Sequence, residues 1–451
     1  MYIELPKTVR QAIERLEACG FEAYAVGGCV RDSILGRTPN DWDITTSAHP
    51  RQTAEVFHDA RTVETGIQHG TLTVILNGEP LEITTYRRDG AYADNRHPES
   101  VTFSNHIEDD LCRRDFTVNA MAYHPKRGLV DLYGGQSDLA RGVIACVGDA
   151  ETRFCEDGLR ILRALRFASV LDFSLEEHTA AAVRSCRGLL QNIAAERIRE
   201  ELCKLICGRG AAHILREYAE VIAQPIPELS ACIGFAQNTK YHCYDVYEHM
   251  LRALQANEGA DLITRLSILL HDVGKPLCYT EDENGGHFKG HGEVGVGLTE
   301  NILRRLRFDN ATTEAVLQLI AYHDRPLLAE RKAVKRLMQK MTDENITRLL
   351  ELQRCDRIAH AIEYATPSEA LVEIPRIMRE LREEEACLSL RTLAVNGKDL
   401  MALGVPAGKQ LGALLQTLLD EVVEERLPND RDVLLNAACE WLDQDRPKNQ
   451  D

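Results

Sequence analysis

The chain has 451 residues, of which 44% are hydrophobic and 27% are charged, and its formal net charge at pH 7 is −17. This length exceeds one ordinary domain core, so we expect two to four domains in a globular protein. The acidic balance excludes a protein that binds phosphate backbones through a broadly basic surface. If the chain binds nucleic acid, it must do so through a local basic patch.

Targeting features are absent from the sequence. No run of 18 apolar residues occurs, which excludes a transmembrane helix, and the first 20 residues lack the apolar core of a signal peptide. The 14 cysteines include no Cys-x-x-Cys pair. Scattered cysteines without a secretion signal are typical of reduced thiols, so we predict a cytoplasmic protein. We expect no membrane association, and no feature indicates a protein partner.

The first 140 residues combine strand and helix patterns. An amphipathic pattern predicts a helix in residues 1–20, and a second helix is predicted at Cys29–Leu35. Strands are predicted at Phe21–Val26, Trp42–Thr45, Gly70–Leu76 and Leu81–Tyr86. A turn at Asn77–Pro80 is expected to join the last two strands. Mixed strands with flanking helices predict an α/β head over residues 1–140.

Helical patterning dominates from about Asp138 to the end of the chain. We therefore predict an all-α body after the head, interrupted by a loop at Glu281–Gly286. The body is expected to contain a helical neck, a histidine-rich domain and a helical tail, with boundaries at 141–235, 236–365 and 366–451.

A glycine pair in the head predicts a phosphate site. Gly27 and Gly28 lie between a predicted strand and a predicted helix, where glycine lets the backbone approach a ligand closely. The helix start offers free N–H groups to a phosphate. Arg31, one turn further on, can add a charge-assisted hydrogen bond.

Two aspartates predict a metal site beside it. Asp41 and Asp43 are two residues apart on a predicted strand, so their side chains share one face. Carboxylates on one face can hold Mg²⁺, which would support attack by a hydroxyl and the departure of pyrophosphate. We predict Asp41 and Asp43 as the catalytic, metal-binding pair, and Glu82 can supply a third carboxylate.

Three sequence blocks carry a family resemblance: GGCVRDSILGRTPNDWD at 27–43, RRDFTVNA at 113–120 and EDGLRILRALRF at 156–167. Together they resemble the polymerase-β-like superfamily, specifically the bacterial class of tRNA nucleotidyltransferases and poly(A) polymerases. The resemblance implies a mixed-sheet nucleotidyltransferase head and template-independent addition of the 3′-terminal CCA of tRNA from CTP and ATP, with release of pyrophosphate. It also implies that the tail holds the tRNA acceptor arm.

Charged residues recur every three positions in the third block. The resemblance implies that Asp157 and Arg160 select the incoming base, and that Arg114, Arg163 and Arg166 contact its sugar and phosphates, together with Gly28 and Arg31. A carboxylate only accepts hydrogen bonds and a guanidinium only donates them. Cytosine and adenine each present an amine donor beside a ring-nitrogen acceptor, whereas guanine and uracil present the opposite pattern. One Asp/Arg pair can therefore admit C and A.

The histidine-rich region contains a second resemblance. His249, His271-Asp272 and a distal Asp356 occur in the ligand order of the HD phosphohydrolase superfamily, with His291 and His323 between them. Imidazole and carboxylate ligands suit a divalent metal that activates water for phosphoester hydrolysis. We predict a second divalent metal at this place. The alternative is a helical domain that only shapes the body.

Other functions stay open at this point. A poly(A) polymerase or an enzyme that adds only the terminal A would share the head blocks. The segment Arg87–Pro98 resembles the flexible loop of enzymes that add more than CC. A different class would be an HD phosphohydrolase whose head merely binds a nucleotide. An intact Asp41-x-Asp43 pair favours catalysis in the head over this last alternative.

Overall fold

The computed structural model describes residues 2–64, 66–90, 100–239, 241–259, 261–283, 285–361, 363, 368–384 and 386–444. Most of the predicted Arg87–Pro98 loop lies outside these residues. The chain forms two compact units. Unit 1 comprises Met1–Gly234, Gly259–Leu262 and Asn301–Asp309, and unit 2 comprises Phe235–Glu258, Ile263–Glu300 and Asn310–Asp451. The finer division at 140, 235 and 365 stays a prediction.

The strands are concentrated in the first third of the chain. They are β1 (Ala23–Val26), β2 (Asp43–Thr46), β3 (Arg61–Val63), β4 (Thr71–Leu76), β5 (Glu79–Thr85), β6 (Arg87–Asp89), β7 (Val101–Phe103), β8 (Met121–His124), β9 (Gly128–Asp131), β10 (Val143–Ile144), β11 (Ser174–Leu175), β12 (Thr280–Asp282) and β13 (Gly285–His287).

Helices flank the sheet and make up most of the remaining chain. They are α1 (Lys7–Ala18), α2 (Gly28–Ile34), α3 (Pro50–Val56), α4 (Ile107–Cys112), α5 (Gly135–Arg141), α6 (Ala150–Glu156), α7 (Leu159–Leu171), α8 (Glu177–Ser185), α9 (Ala195–Ile206), α10 (Ala211–Glu217), α11 (Ala219–Ile222), α12 (Val246–Ala256), α13 (Leu262–Leu270), α14 (Lys275–Cys278), α15 (His291–Arg305), α16 (Asn310–Tyr322), α17 (Arg331–Lys340), α18 (Asp343–Ile358), α19 (Ala370–Glu383), α20 (Gly397–Ala402), α21 (Lys409–Val423) and α22 (Arg431–Gln444).

A seven-stranded mixed sheet organises the head in the order β3-β4-β5-β2-β1-β8-β9. Its neighbouring strands are antiparallel except for β2 and β5, which run parallel. All four residues of β1 are buried, as expected for a strand at the interior of a sheet covered by helices. The structure confirms the predicted α/β head followed by helices.

The hairpin between β4 and β5 has a tighter turn than the sequence predicts. Asn77 and Gly78 have φ angles of 53° and 85°. Two consecutive residues with positive φ are typical of a two-residue type I′ turn, in which Asn-Gly is the favoured pair. The turn therefore ends at Gly78, and β5 begins at Glu79. This register places Glu82 opposite Asp43 on the neighbouring strand.

The predicted loop at 281–286 is wrong. Thr280–Asp282 and Gly285–His287 form an antiparallel strand pair, β12 and β13. Its strands are polar and partly exposed, so they lack the alternation of apolar residues by which a strand is predicted. None of the described helices is both long and apolar enough to cross a membrane.

Candidate active sites

Three carboxylates meet at one end of β2 in unit 1. Asp43 is the first residue of β2 and pairs in register with Glu82 of β5. Asp41 lies just before the strand and is exposed, whereas Asp43 is half-buried. The prediction that both aspartates belong to a strand therefore holds only for Asp43.

The charges of these carboxylates act on one another. Burial, together with the charges of Asp41 and Glu82, raises the pKa of Asp43 to about 6, and Arg114 offsets part of the shift. Repulsion among carboxylates is relieved when a cation lies between them. Oxygen ligands of this kind suit a hard divalent ion such as Mg²⁺. The donor set therefore fits a divalent cation.

The glycine pair borders the same site. Gly27 has φ of +84°, and a Cβ built on it would lie 2.9 Å from Arg114 Nη1. A larger residue here would be strained by its backbone and would displace the guanidinium. Gly28 begins the seven-residue helix α2, and a Cβ built on it would lie 3.6 Å from Arg31 Nη2. Gly27 thus leaves room for Arg114 beside the carboxylates.

Arg114 has hydrogen-bonding capacity left over. Its Nη2 donates to Asp110 Oδ2 at 3.2 Å, while its Nε is buried with no partner among the described residues. Burial alone would raise the pKa of Asp110, but Arg114 and Arg113 hold it below its ordinary value. Arg114 is thus anchored on one side by a charged carboxylate. An anion such as phosphate would satisfy the remaining donor.

Arg31 is held by neighbours in the protein. Its Nη1 donates to Asn119 Oδ1 at 2.7 Å, and its Nε and Nη2 donate to Asp32 at 2.9 Å each. The guanidinium carbon also lies 5.1 Å from the centre of the Phe167 ring. These contacts tie α2, the segment before β8, and α7 together, so Arg31 has a structural role whether or not it contacts a nucleotide.

Asp157 lies between α6 and α7, and its carboxylate points to a third helix. Arg197 on α9 donates to it through Nη2 at 2.9 Å and Nη1 at 3.4 Å. The backbone N–H of Leu159 also donates to Asp157 Oδ1, at 3.1 Å. A carboxylate has about four acceptor positions, so these three bonds leave capacity for another donor.

Arg160, on the first turn of α7, is oriented by its own surroundings. Its Nη1 donates to Glu156 Oε2 at 2.5 Å and to the Arg153 carbonyl at 3.1 Å, and its Nη2 donates to the Arg113 carbonyl at 3.4 Å. The contact with Arg113 brings Arg160 next to the second sequence block. The two residues predicted to select the base are therefore each fixed by a separate partner.

Arg163 and Arg166 form ion pairs further along α7. Arg163 donates to Asp115 Oδ2 from Nε at 2.9 Å and Nη2 at 2.5 Å, and Arg166 Nε lies 2.8 Å from Glu201 Oε2. Burial alone would raise the pKa of Asp115, but the Arg163 guanidinium holds it at about 2. Both arginines are thus neutralised within unit 1, and their predicted contact with the nucleotide stays a prediction.

Sequence reasoning missed the partners on α9. Arg197 and Glu201 are four residues apart, so they lie on one face of that helix. They contact Asp157, which lies just before α7, and Arg166, near the middle of that helix. The four-residue spacing predicts that Arg197 and Glu201 share a helix face. It does not predict which helix this face contacts, because that depends on tertiary packing.

Unit 2 brings together the four residues predicted as HD ligands. His249 Nε2 lies 2.8 Å from Asp356 Oδ1 and 3.5 Å from Asp272 Oδ2. His271 Nε2 lies 3.2 Å from Asp272 Oδ2 and 3.5 Å from Asp356 Oδ1. One ligand atom from each of His249, His271 and Asp356 lies within 4.8 Å of the other two.

This cluster is buried and strongly polar. Burial alone would lower the pKa of His271, but Asp272 and Asp356 raise it to about 10. The Nε2 of His271 and the Oδ2 of Asp272 are buried without a hydrogen bond of good geometry in the described chain. Lys275 Nζ lies 2.6 Å from Asp272 Oδ2. Imidazole and carboxylate ligands that converge in this way fit a divalent metal.

Comparison with known proteins places the chain in a family. It is 33% identical over 425 residues to the CCA-adding enzyme of Lactobacillus helveticus, covering 94% of each chain. The chain therefore belongs to the CCA-adding enzyme family. A CCA-adding enzyme of Limosilactobacillus fermentum is likewise 33% identical over 438 residues, with 96% of each chain covered. Membership of this family makes the protein a nucleotidyltransferase, as the sequence predicts.

Solved structures of CCA-adding enzymes share the fold. That of Bacillus stearothermophilus in complex with CTP is 29% identical, has a TM-score of 0.72, and the match covers 97% of this chain and 98% of that one. That of Thermotoga maritima complexed with tRNA is 21% identical with a TM-score of 0.58, covers 96% of this chain and 94% of that one, and supports the fold alone.

Family models match three segments of the chain. The poly(A) polymerase head domain matches residues 23–145, which contain the carboxylate site. A probable RNA- and SrmB-binding site of polymerase A matches residues 172–232, which contain α9. A tRNA nucleotidyltransferase domain 2 matches residues 296–438. The first two matches cover the head and helix α9, whose Arg197 donates hydrogen bonds to Asp157.

Proposed function

We propose that the protein completes the 3′-terminal CCA of tRNA, using CTP and ATP and releasing pyrophosphate. The observation that carries this proposal is the cluster of Asp41, Asp43 and Glu82 beside an Arg114 whose Nε has no partner among the described residues. The chain that contains it is related to a CCA-adding enzyme over 94% of its length. The names of the related structures, which include complexes with CTP, ATP and tRNA, support the same substrates.

Mg²⁺ is the proposed ion of the head, held by Asp41 and Asp43 with Glu82 beside them. When bound, such an ion lowers the barrier to attack by the tRNA 3′-hydroxyl and stabilises the leaving pyrophosphate. The chain's own residues position the reactants. Arg114 would offer its unpaired Nε to the triphosphate, and Gly27 leaves space for the Arg114 guanidinium. Arg31, Arg163 and Arg166 support the walls of the site.

Base selection is assigned to Asp157 and Arg160. Asp157 would accept from the exocyclic amine of C or A, and Arg160 would donate to the adjacent ring nitrogen. Arg197 and Glu156 hold the two side chains in place, which reduces the freedom lost when a base binds. Guanine or uracil would place a carbonyl acceptor against the Asp157 carboxylate and a ring N–H donor against the Arg160 guanidinium.

A second activity is proposed for unit 2, which we interpret as an HD-type phosphohydrolase domain around residues 236–365. His249, His271, Asp272 and Asp356 would hold a divalent metal, whose bound form polarises a phosphoester and activates water. The convergence of these imidazole nitrogens and carboxylate oxygens in a buried place supports this interpretation. We further propose that residues 141–235 form the neck and residues 366–451 the tail that binds the acceptor arm.

Incorporation of labelled CTP and ATP into a tRNA that ends at the discriminator base tests the proposed activity. The proposal predicts two C residues followed by one A, and no growth beyond that. A product extended only when the tRNA already ends in CC would identify an A-adding enzyme. A long A tail on unrelated RNA would identify a poly(A) polymerase. Either result would replace the proposal.

A further inference from the structure

We infer that Asp272 bridges two divalent cations, the second of which is held by His291 and His323. This inference deepens the phosphohydrolase activity proposed for unit 2 and rests on it. Ligand atoms of Asp272, His291 and His323 all lie within 4.8 Å of one another. They form a group separate from His249, His271 and Asp356, so one aspartate stands between two sets of ligands.

The protein fixes which nitrogen of each second-site histidine faces the group. His291 Nδ1 lies 2.8 Å from the Phe288 carbonyl, and His323 Nδ1 lies 2.6 Å from the Ile320 carbonyl. A carbonyl oxygen only accepts, so each Nδ1 carries the proton. A histidine whose Nδ1–H donates to a backbone carbonyl is oriented and activated as an Nε2 ligand.

Two lone pairs therefore face each other. His291 Nε2 and His323 Nε2 are 3.1 Å apart. Asp272 Oδ1, a third acceptor, lies 3.4 Å from the first nitrogen and 3.6 Å from the second. Three converging acceptors repel one another unless a cation lies between them. His323 and Asp272 are buried, so bulk water does not screen this repulsion.

Each carboxylate oxygen of Asp272 faces a different pair of histidines. Oδ1 faces His291 and His323, whereas Oδ2 faces His249 and His271. The first-site histidines are oriented by carbonyls in the same way, since His249 Nδ1 lies 3.3 Å from Ala359 O and His271 Nδ1 lies 2.8 Å from Ile268 O. A carboxylate shared through separate oxygens is the geometry of a bridging ligand.

Two adjacent cations would define the substrate class as a phosphoester. Cations about 3.5–4 Å apart clamp the attacking and leaving oxygens of a phosphate during in-line displacement. The cavity in front of the cluster has a volume of about 790 Å³ and is lined by Lys289, Arg325 and Arg357 among other residues. This space accommodates a nucleotide-sized phosphomonoester or phosphodiester and offers positive charge for its phosphate.

Metal stoichiometry tests the inference directly. The full chain carrying Asp43→Ala, which removes the head site, would be loaded with Mn²⁺, desalted, and analysed for manganese per chain and by electron paramagnetic resonance. We expect about two Mn²⁺ per chain and the signature of an exchange-coupled pair, because a bridging carboxylate couples neighbouring ions. Adding His291→Ala and His323→Ala should leave about one Mn²⁺ and abolish the coupling.

Two controls keep the test decisive. His287→Ala changes a histidine that lines the same cavity but pairs with Asp282 on the exposed hairpin, so it should keep both ions. If the double variant fails to fold, as judged by circular dichroism, His291→Gln alone should still remove the coupling. One uncoupled Mn²⁺ in the chain with His291 and His323 intact, or none, would overturn the inference, because a proton shared by the two imidazoles would then replace the second cation.

A different measurement tests the proposed hydrolase activity. Hydrolysis of bis-p-nitrophenyl phosphate and p-nitrophenyl phosphate would be measured on the same samples. Two coupled ions without hydrolysis would keep the metal inference and remove the activity. Hydrolysis with a single uncoupled ion would keep the activity and remove the second site.

Discussion

The guanidinium of Arg197 on α9 is hydrogen-bonded to the carboxylate of Asp157, with Nη2 and Oδ2 2.9 Å apart. Asp157 stands in the connection between α6 and α7, so its backbone alone does not fix the direction of the side chain. The pair is partly exposed, at 25% for Arg197 and 16% for Asp157. The two hydrogen bonds from Arg197 therefore fix the direction in which the Asp157 carboxylate points.

Arg197→Ala should reduce discrimination between CTP and UTP more than it reduces overall turnover. Without the guanidinium, Asp157 is free to turn away from the base, and a misplaced polar contact costs on the order of 1–3 kcal/mol of selectivity. Relative kcat/KM values for CTP and UTP measure the effect. Arg209→Ala, which removes an exposed arginine in the same unit, is the matched control and should change neither value. Equal losses for both nucleotides would assign Arg197 a general role.

Asp43→Asn should stop nucleotide addition and stabilise the cation-free protein. The pKa of Asp43 is raised from 3.8 to about 6 by burial and by its acidic neighbours, so its ionisation disfavours the folded state. The loss of folding free energy caused by ionised Asp43 is absent below about pH 4, where the carboxyl is protonated in the folded and the unfolded chain. This loss grows as the pH rises and is complete above about pH 6. Removing the charge should add about 1–3 kcal/mol to the free energy of unfolding at a pH of about 7.5.

Denaturant unfolding with EDTA and with Mg²⁺ measures this change. Mg²⁺ should stabilise the protein with Asp43 intact and have less effect on Asp43→Asn, because the ion loses a ligand. Asp41→Ala should also stop addition, while tRNA binding stays nearly unchanged in both variants. Normal turnover in either variant would contradict the assignment of the head site.

Arg163→Ala should destabilise unit 1 by about 3–5 kcal/mol, because it leaves Asp115 buried and charged without its partner. The pKa of Asp115 is held at about 2, so the ion pair contributes its stability above about pH 4 and loses it as the pH falls towards 2. The destabilisation should therefore shrink as the pH is lowered from neutral into this range. Arg163→Met combined with Asp115→Asn should recover much of the loss. A pH-independent effect would point to lost packing instead of charge.

His271→Ala combined with Asp272→Ala should remove metal-dependent phosphoester hydrolysis and leave CCA addition intact. The two proposed sites are built from residues of separate compact units. Both activities would be assayed on one preparation, with His287→Ala as the control for an unrelated change at the unit 2 cavity. Loss of both activities together would show that this region is structural for the head.

The sequence predicted those features of the sites that depend on local spacing. Three features can be recognised from short stretches of sequence: the glycine pair, the Asp41-x-Asp43 spacing and the charges that recur through 157–166. The structure places the first two of these at one edge of the sheet. The strand position of Asp41 was wrong, because a strand's first residue depends on its hydrogen-bonded neighbour. β2 pairs with β1 and β5 only from Asp43 onward.

Partners supplied by tertiary packing could not be predicted in the same way. Arg197 contacts Asp157 across 40 positions, and Arg163 contacts Asp115 across 48. His291 and His323 were recognisable as residue types, but their shared orientation toward Asp272 depends on how α15 and the end of α16 are placed. The β12–β13 hairpin escaped prediction because its residues are polar and partly exposed.

The kcat/KM values for CTP, ATP, UTP and GTP on one tRNA acceptor, compared between the unaltered protein and Asp157→Ala, test the central claim most directly. If Asp157 and Arg160 select the base, Asp157→Ala should weaken CTP and ATP use and raise the relative use of UTP or GTP by about ten- to a hundred-fold, because it removes an acceptor and its repulsion of a carbonyl. Arg160→Ala should weaken CTP and ATP similarly. An unchanged ratio of CTP to UTP in Asp157→Ala would contradict base selection by this residue.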